Sequence, residues 1–492
     1  MSSVKSPSAV AIADPEKQRV TEATDGLDNL TPEEELLLKS YLRKTDLRLA
    51  IFICFGYITS FLNKSAISYA KIDGFEQQLN MHGTQYNTLL GLSTAVFLVF
   101  QVPLNFLFRK LGARKYMPTT LFLSGCLSAL VLVVKNFGGF LAIRLIEGVF
   151  LSGFTCSVFY SLSLWYPRKY LVTRVSWVIA SSCISGIIYA AMAIAFSYVH
   201  SKHFYSWQWM YFLFGLLAIA SGIYGYVFVS DYPDTAAYLT VEEQELIGRI
   251  LRTTHMITSD KSAISRKQVI QGLTDWRLMV FMVMDFCNNY ASSTAINWAP
   301  IILKSVGYST TVTAALMLIP AILAFIMIMS ANYFVRALGK IGYFQIIMSI
   351  MSTVVILIGV AGAHNKIART VSVCLLPIFT GSAVVVGPAW LNVNQRGADR
   401  SALSNGFAIV ATSLGGTANG YAYLNSDAPL YIKGNSSNFA MTGLAIICTV
   451  ILMINFSREN RKRDQNPVDV SHLTPEEIAA LGNDSPTFRY TL

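Results

Sequence analysis

Twelve apolar runs, each of roughly 20 residues and so long enough to cross a hydrocarbon core of roughly 30 Å as a helix, decide what this chain can fold into. They fall near 48–68, 85–108, 117–136, 140–165, 173–199 and 206–230, then near 276–303, 310–331, 341–361, 368–391, 401–424 and 437–457. The grouping is six plus six, split by a polar stretch from Asp231 to Asp275. A water-soluble fold is excluded by the same residues: 53% of the chain is hydrophobic and only 13% charged, against roughly 25% charge in a soluble domain. The expected fold is therefore an all-α integral membrane protein with twelve transmembrane helices in two six-helix halves.

The polar segments set the expected boundaries: an N-terminal cytoplasmic tail over 1–46, a first half over 47–230, a cytoplasmic linker over 231–275, a second half over 276–457 and a C-terminal cytoplasmic tail over 458–492. The first segment lacks the apolar core of a cleaved secretory signal. Within it, Thr31-Pro32-Glu33-Glu34-Glu35 reads either as the capped start of a short surface helix or as a solvated charge run. The linker holds a similar start at Thr240-Val241-Glu242-Glu243.

Sidedness follows from the basic residues, which concentrate in loops kept on the cytoplasmic side. Lys39, Arg43, Lys44 and Arg48 precede the first span, Arg109, Lys110, Arg114 and Lys115 follow the second, and Arg458, Arg461, Lys462 and Arg463 follow the twelfth. Both termini are expected in the cytoplasm of a multi-pass protein at the plasma membrane. That places the sequon Asn435-Ser436-Ser437 in an outside loop, with Asn435 as the candidate glycosylation site.

A net charge of +10 does not indicate nucleic acid, because the basic residues lie in short clusters between apolar runs and form no stripe beside aromatics. The seven cysteines all fall in apolar stretches without metal-ligand spacing. Neither a metal site nor a cofactor is expected, and hydrolase, zinc-peptidase, Walker and dinucleotide signatures are absent. Without a nucleotide-hydrolysing module, transport would draw on gradients. A channel would show a repeated filter sequence or rings of charge, which this chain lacks.

The few charges inside the spans are informative, since each costs several kcal/mol unless paired, wet or snorkelling. Arg144 and Glu147 are three residues apart on one helical face, either as proton carrier with its partner or as a structural ion pair. Lys64 lies deep in the first span, where it can meet a substrate carboxylate or snorkel to the interface. Asp285 shares a face with Asn288 and Asn289, a candidate for an ammonium or a proton, although helix-to-helix hydrogen bonding explains the asparagines equally. Trp390 and Asn392 end the tenth span, where aromatics also serve as interfacial anchors.

A resemblance runs through these spans. Phe61-Leu62-Asn63-Lys64-Ser65-Ala66-Ile67-Ser68-Tyr69-Ala70-Lys71, then Gln101-Val102-Pro103-Leu104-Asn105, Leu164-Trp165-Tyr166-Pro167-Arg168, Asp231-Tyr232-Pro233-Asp234-Thr235, Trp390-Leu391-Asn392 and Asp427-Ala428-Pro429 resemble the fungal allantoate-permease branch of the anion:cation symporters. That branch belongs to the major facilitator superfamily. The resemblance implies proton-coupled uptake of a small organic acid or zwitterion, among them allantoate, vitamins and sulfur compounds. It also implies a gating turn at Arg109, Gly112 and Arg114, though anchoring by positive charge accounts for these residues too. Two positions depart from the branch: Asn63 and Leu151 stand where many members carry carboxylates. Glu147, one turn before Leu151, is then the candidate for the proton. The alternatives are an exporter of a metabolite or drug on the same fold and a non-transporting nutrient sensor.

Overall fold

The computed structural model describes residues 30–198, 204–256, 275–338, 340–395, 398–466, 483, 485–486 and 488–492. Helix α1 (Pro32–Thr45) begins as the sequence requires: the Thr31 backbone N–H donates to Glu34 Oε2 (2.9 Å), the Glu34 N–H donates to Thr31 Oγ1 (3.3 Å), and Pro32 occupies the first position, which needs no donor. A π-helical turn over Asp46–Ala50 leads directly into α2 (Ile51–Ile72). Then come α3 (Gln85–Leu111), α4 (Ala113–Leu130), α5 (Phe137–Trp165), α6 (Arg168–Phe196) and α7 (Ser206–Phe228). Linker helix α8 (Val241–Met256) precedes α9 (Trp276–Asn297), the short α10 (Ala299–Ser305), α11 (Thr310–Leu338), α12 (Ile341–Ala361), α13 (Lys366–Val393), α14 (Ala398–Asn419) and α15 (Ile432–Gln465).

Among the described residues, nine helices are long and apolar enough to cross a bilayer by length and composition, the first of them continuous with α1. Helices α3, α9 and α14 complete the twelve. These three carry polar side chains that bond to other helices: Asn87 of α3 donates to the Gly420 and Tyr423 carbonyls, Asn289 of α9 to the Thr412 carbonyl, and Asn419 of α14 to Thr294 Oγ1. A helix shielded from lipid by its neighbours tolerates such groups.

In the first half α4 packs on α7 and α5, α3 on α5, and α2 on α6 and α7. In the second, α9 packs on α14, α15 and α13, α12 on α13 and α15, and α11 on α13. The halves meet through α6 against α11 and α3 against α14.

The apolar cores show how those contacts are distributed. At the end where α2 and α14 finish, one core holds residues of both halves, including Tyr86, Trp207, Trp298 and Tyr423. Polar links cross the same boundary: Ser68 Oγ donates to the Asn297 carbonyl (3.0 Å), Lys71 Nζ to Asn425 Oδ1 (3.0 Å), and Asn87 Nδ2 to the Gly420 carbonyl (2.8 Å). A Cβ at Gly420 would stand 2.9 Å from the Gly91 nitrogen, so the backbones touch there. At the opposite end each half keeps its own core, one including Tyr41, Trp165 and Ile247, the other Phe281, Trp390 and Phe456. Among the described residues the molecule is thus sealed at one end and divided at the other.

Several local expectations are corrected. The run near 276–303 is broken at Trp298, with Pro300 opening the short α10. Helix α15 starts at Ile432, so Asn435 lies in its first turn and not in a loop. The Asn435 Oδ1 accepts from Tyr423 Oη (2.9 Å), a bond a sugar on this side chain would crowd. Helix α1 packs into the first half's core through Leu38, Tyr41 and Leu42 and is not a solvated charge run, and linker helix α8 joins it there through Ile247 and Ile250. A salt bridge from Lys44 Nζ to Glu243 Oε2 (2.8 Å) joins them.

Candidate functional site

The first half gathers its charges in one place. Helix α5 presents Arg144 and Glu147 from successive turns, and Arg144 Nη1 donates to Glu147 Oε2 at 2.6 Å with both side chains buried. Helix α2 brings Lys64 close enough to interact electrostatically with both. Its ammonium lies over the Phe97 ring at 4.3 Å and the Phe61 ring at 5.1 Å, with no carboxylate in salt-bridge range among the described residues. Tyr211 of α7 completes the wall, its ring 5.6 Å from the Arg144 guanidinium. Two atoms of the pair, Arg144 Nε and Glu147 Oε1, are buried without a protein hydrogen bond. Two cations therefore surround one carboxylate.

In the second half, Asp285 of α9 is 1% exposed, and neither of its oxygens accepts a hydrogen bond. It lies against Gly387 of α13, whose missing side chain makes the space. Asn288, one turn on, also has an unbonded buried amide nitrogen, while Asn289 is committed to the Thr412 carbonyl of α14. Of the asparagines read as candidates, Asn288 thus stays available and Asn289 links helices.

Other expected positions are separated from these groups. Trp390 is fully buried in the second half's own core, its ring 5.1 Å from Phe281 and 5.8 Å from Phe456, and its Nε1 donates to the Thr491 carbonyl (2.8 Å). Its side chain is thus engaged in packing and in a bond to the C-terminal segment. Asn392 exchanges hydrogen bonds with Asn405 of α14 (2.8 and 2.7 Å) at an exposed position. Asn63, at the signature position of the first span, packs between helices, accepting from Ser128 Oγ at 2.6 Å. Leu151 is buried as an ordinary apolar side chain.

The turn between α3 and α4 is built around Gly112, whose φ of +79° suits a residue without Cβ. A Cβ there would collide with the Asp231 carboxylate, which accepts from the Arg114 backbone N–H (2.9 Å). Asp231 therefore ties the end of α7 to the turn between α3 and α4. The Arg109 side chain lies outside the described residues. Sequence reasoning missed Tyr211 as a wall of the site and Gln345 of α12, which is buried with both amide atoms unbonded. A polar residue inside an apolar run was the available signal for Gln345.

Residues 53–419, from α2 to the end of α14, match the profile of the Major Facilitator Superfamily. The chain belongs to that superfamily. This facilitator is similar to the major facilitator-type transporter hxnP of Emericella nidulans, 28% identical with 92% of this chain and 93% of that one covered. It is similar also to the high-affinity nicotinic acid transporter of Saccharomyces cerevisiae, 25% identical with 96% and 89% covered. Among solved structures its fold resembles the D-xylose-proton symporter, with a TM-score of 0.66, 13% identity and coverage of 82% and 97%. The facilitator is accordingly a multi-pass membrane transporter of small molecules and not an enzyme.

Proposed function

We propose that this facilitator is a secondary symporter that takes up a small organic anion or zwitterion together with protons, at the plasma membrane and with both termini in the cytoplasm. The observation that carries the reading is the charge count of the first-half group: Lys64 and Arg144 against Glu147 alone. A cation left without a counter-charge among apolar helices costs on the order of a few kcal/mol. A carboxylate substrate supplies the missing charge, so its binding is favoured where a neutral molecule's is not. The similarity to a protein named for nicotinic acid transport supports a ligand of this size and charge. The vitamin, allantoate-like and sulfur amino-acid-like compounds of the allantoate-permease branch fall in the same class.

In this reading Asp285 carries the coupling proton, because it is buried and its oxygens have no bonding partner. Glu147 orients Arg144 and holds it ready for the substrate. The basic residues cluster at the divided end, so that end faces the cytoplasm and the sealed end faces outside. The segments 1–46, 231–275 and 458–492 then lie inside the cell, on either side of the halves 47–230 and 276–457.

The test is uptake of radiolabelled nicotinate and a panel of other small organic acids into cells expressing the wild type, Lys64→Ala or Asp285→Asn, with and without a protonophore. Accumulation of one acid that collapses with the protonophore and in both variants is expected. Accumulation that survives the protonophore and Asp285→Asn sinks the proton assignment. Secretion or resistance without uptake turns the reading to export.

A further inference from the structure

The described residues of 483–492 are docked across the divided end of the second half through ring stacking and side-chain hydrogen bonds. The Tyr490 ring stacks on Phe456 of α15, with centroids 4.5 Å apart and planes 2° from parallel, and meets Phe488 edge-on. Its hydroxyl accepts from Arg277 Nη1 of α9 (2.7 Å). Its backbone is read twice by Asn460 of α15: the Tyr490 N–H donates to Asn460 Oδ1 (2.8 Å) and Asn460 Nδ2 donates to the Tyr490 carbonyl (2.7 Å). Arg463 donates to the Phe488 carbonyl (2.8 Å) and the Asn483 carbonyl (3.0 Å).

The next residue is held by α13. The Thr491 N–H donates to Asn394 Oδ1 (2.8 Å), and its carbonyl accepts from Trp390 Nε1 (2.8 Å) and Asn394 Nδ2 (3.2 Å). Asn483 Nδ2 closes the loop on the Asn394 carbonyl (3.1 Å). The turn so gripped follows Pro388, which removes one backbone hydrogen bond from α13 and leaves its last turn easier to bend. That turn also carries Asn392, paired with Asn405 of α14, the helix that packs against α3 across the half-interface.

We infer that the described residues of 483–492 form a detachable strap that ties the end of α13 to α9 and α15 and so holds the divided end apart. Facilitator halves rock about a central site, and the divided end must close for the sealed end to open. Helices α12 and α15 pack within the second half, away from the first. A strap anchored on α15 therefore pulls the α13 turn away from the position that closure requires. Release frees that turn, and whatever binds or modifies the segment off the protein sets how often the sealed end opens. The inference rests on the superfamily's rocking motion and not on the proton or substrate assignment.

The experiment is hydrogen exchange by mass spectrometry on the purified full chain in nanodiscs, read at peptides covering Tyr86–Gly91 and Asn419–Tyr423 of the seal. Tyr490→Ala removes the stack and the Arg277 bond. It is expected to raise exchange of the 483–492 peptide and, with it, exchange at the seal by on the order of tenfold. The Asn394→Cys, Thr491→Cys pair, bridged by a short bifunctional thiosulfonate, is expected to slow exchange at the seal below the unbridged pair, with recovery on reduction. The inference is overturned by a seal that exchanges at the same rate with the strap bridged and unbridged. It is equally overturned if Tyr490→Ala frees the segment and leaves the seal unchanged, or if the wild-type segment already exchanges as free chain.

Discussion

Gly387 of α13 stands directly over Asp285 of α9: a Cβ built on Gly387 would lie 2.5 Å from Asp285 Oδ1. The glycine is there because the carboxyl fills the volume a side chain needs. Gly387→Ala is therefore expected to push the Asp285 carboxyl out of place and to lower proton-driven accumulation on the order of ten- to hundredfold, the size of effect that displacements near an ångström produce. Asp285→Asn keeps the shape and loses the charge. It should abolish accumulation against a gradient yet retain exchange of labelled for unlabelled substrate across the membrane. Exchange and accumulation lost together in Asp285→Asn, at normal protein abundance, would make the residue structural.

The Arg144–Glu147 pair predicts a different failure. Glu147→Gln strands a buried guanidinium, and breaking one side of such a pair costs roughly 3–5 kcal/mol. The variant should show a clearly lowered melting temperature in detergent. Lys64→Ala removes a buried charge with no ion-pair partner among the described residues, so it should hold or raise the melting temperature while weakening substrate binding by about tenfold or more. Equal loss of melting temperature in both variants would contradict the division of roles.

At the sealed end, Asn87 bridges the halves by donating to the Gly420 and Tyr423 carbonyls. Asn87→Ala leaves two carbonyls unsatisfied, a loss of about 1–3 kcal/mol. Alkylation of a cysteine introduced at Ser68, read against a parent without it, is expected to become several-fold faster in Asn87→Ala. An unchanged labelling rate would mean that the apolar core alone keeps this end shut.

The clasp between α1 and α8 is pH-sensitive with a definite sign. Burial pushes the Glu243 carboxyl up, but hydrogen bonds from Lys44, Ser40 and the Thr240 backbone outweigh it and hold the group below its ordinary value of 4.5. A carboxyl whose folded value is depressed contributes stability above its unfolded value and loses it as pH falls through the folded one. Glu243→Gln is expected to lower stability by about 1 kcal/mol at neutral pH. The gap to wild type should close as the pH drops below 4.5. A gap that persists at acid pH would assign the effect to packing.

The twelve helices were legible because lipid demands long apolar runs, and the demand leaves its mark residue by residue. Asp285, Arg144 and Glu147 were legible for the same reason, as charges where charge is costly. Trp390 was not, because its partner Thr491 lies 101 positions away and no local pattern announces the pairing. The break at Trp298 was missed since Pro300 follows an unbroken apolar stretch, and hydropathy does not register a missing N–H. Asn63 stands where many members of the branch carry a carboxylate, and nothing local announces that its amide oxygen meets Ser128 between helices. Direction around a helix decides such cases, and it is fixed only by what each face packs against.

The clasp has a consequence for how the molecule is made. Helix α1 leaves the ribosome about two hundred residues before its partner, since Lys44 and Glu243 are 199 positions apart. Until α8 emerges, the apolar side of α1 has nothing to cover it but the first six spans, and its lysine lacks the glutamate. Translation of the linker is therefore the moment at which the first half becomes a finished body, before the nascent chain has supplied any of the second.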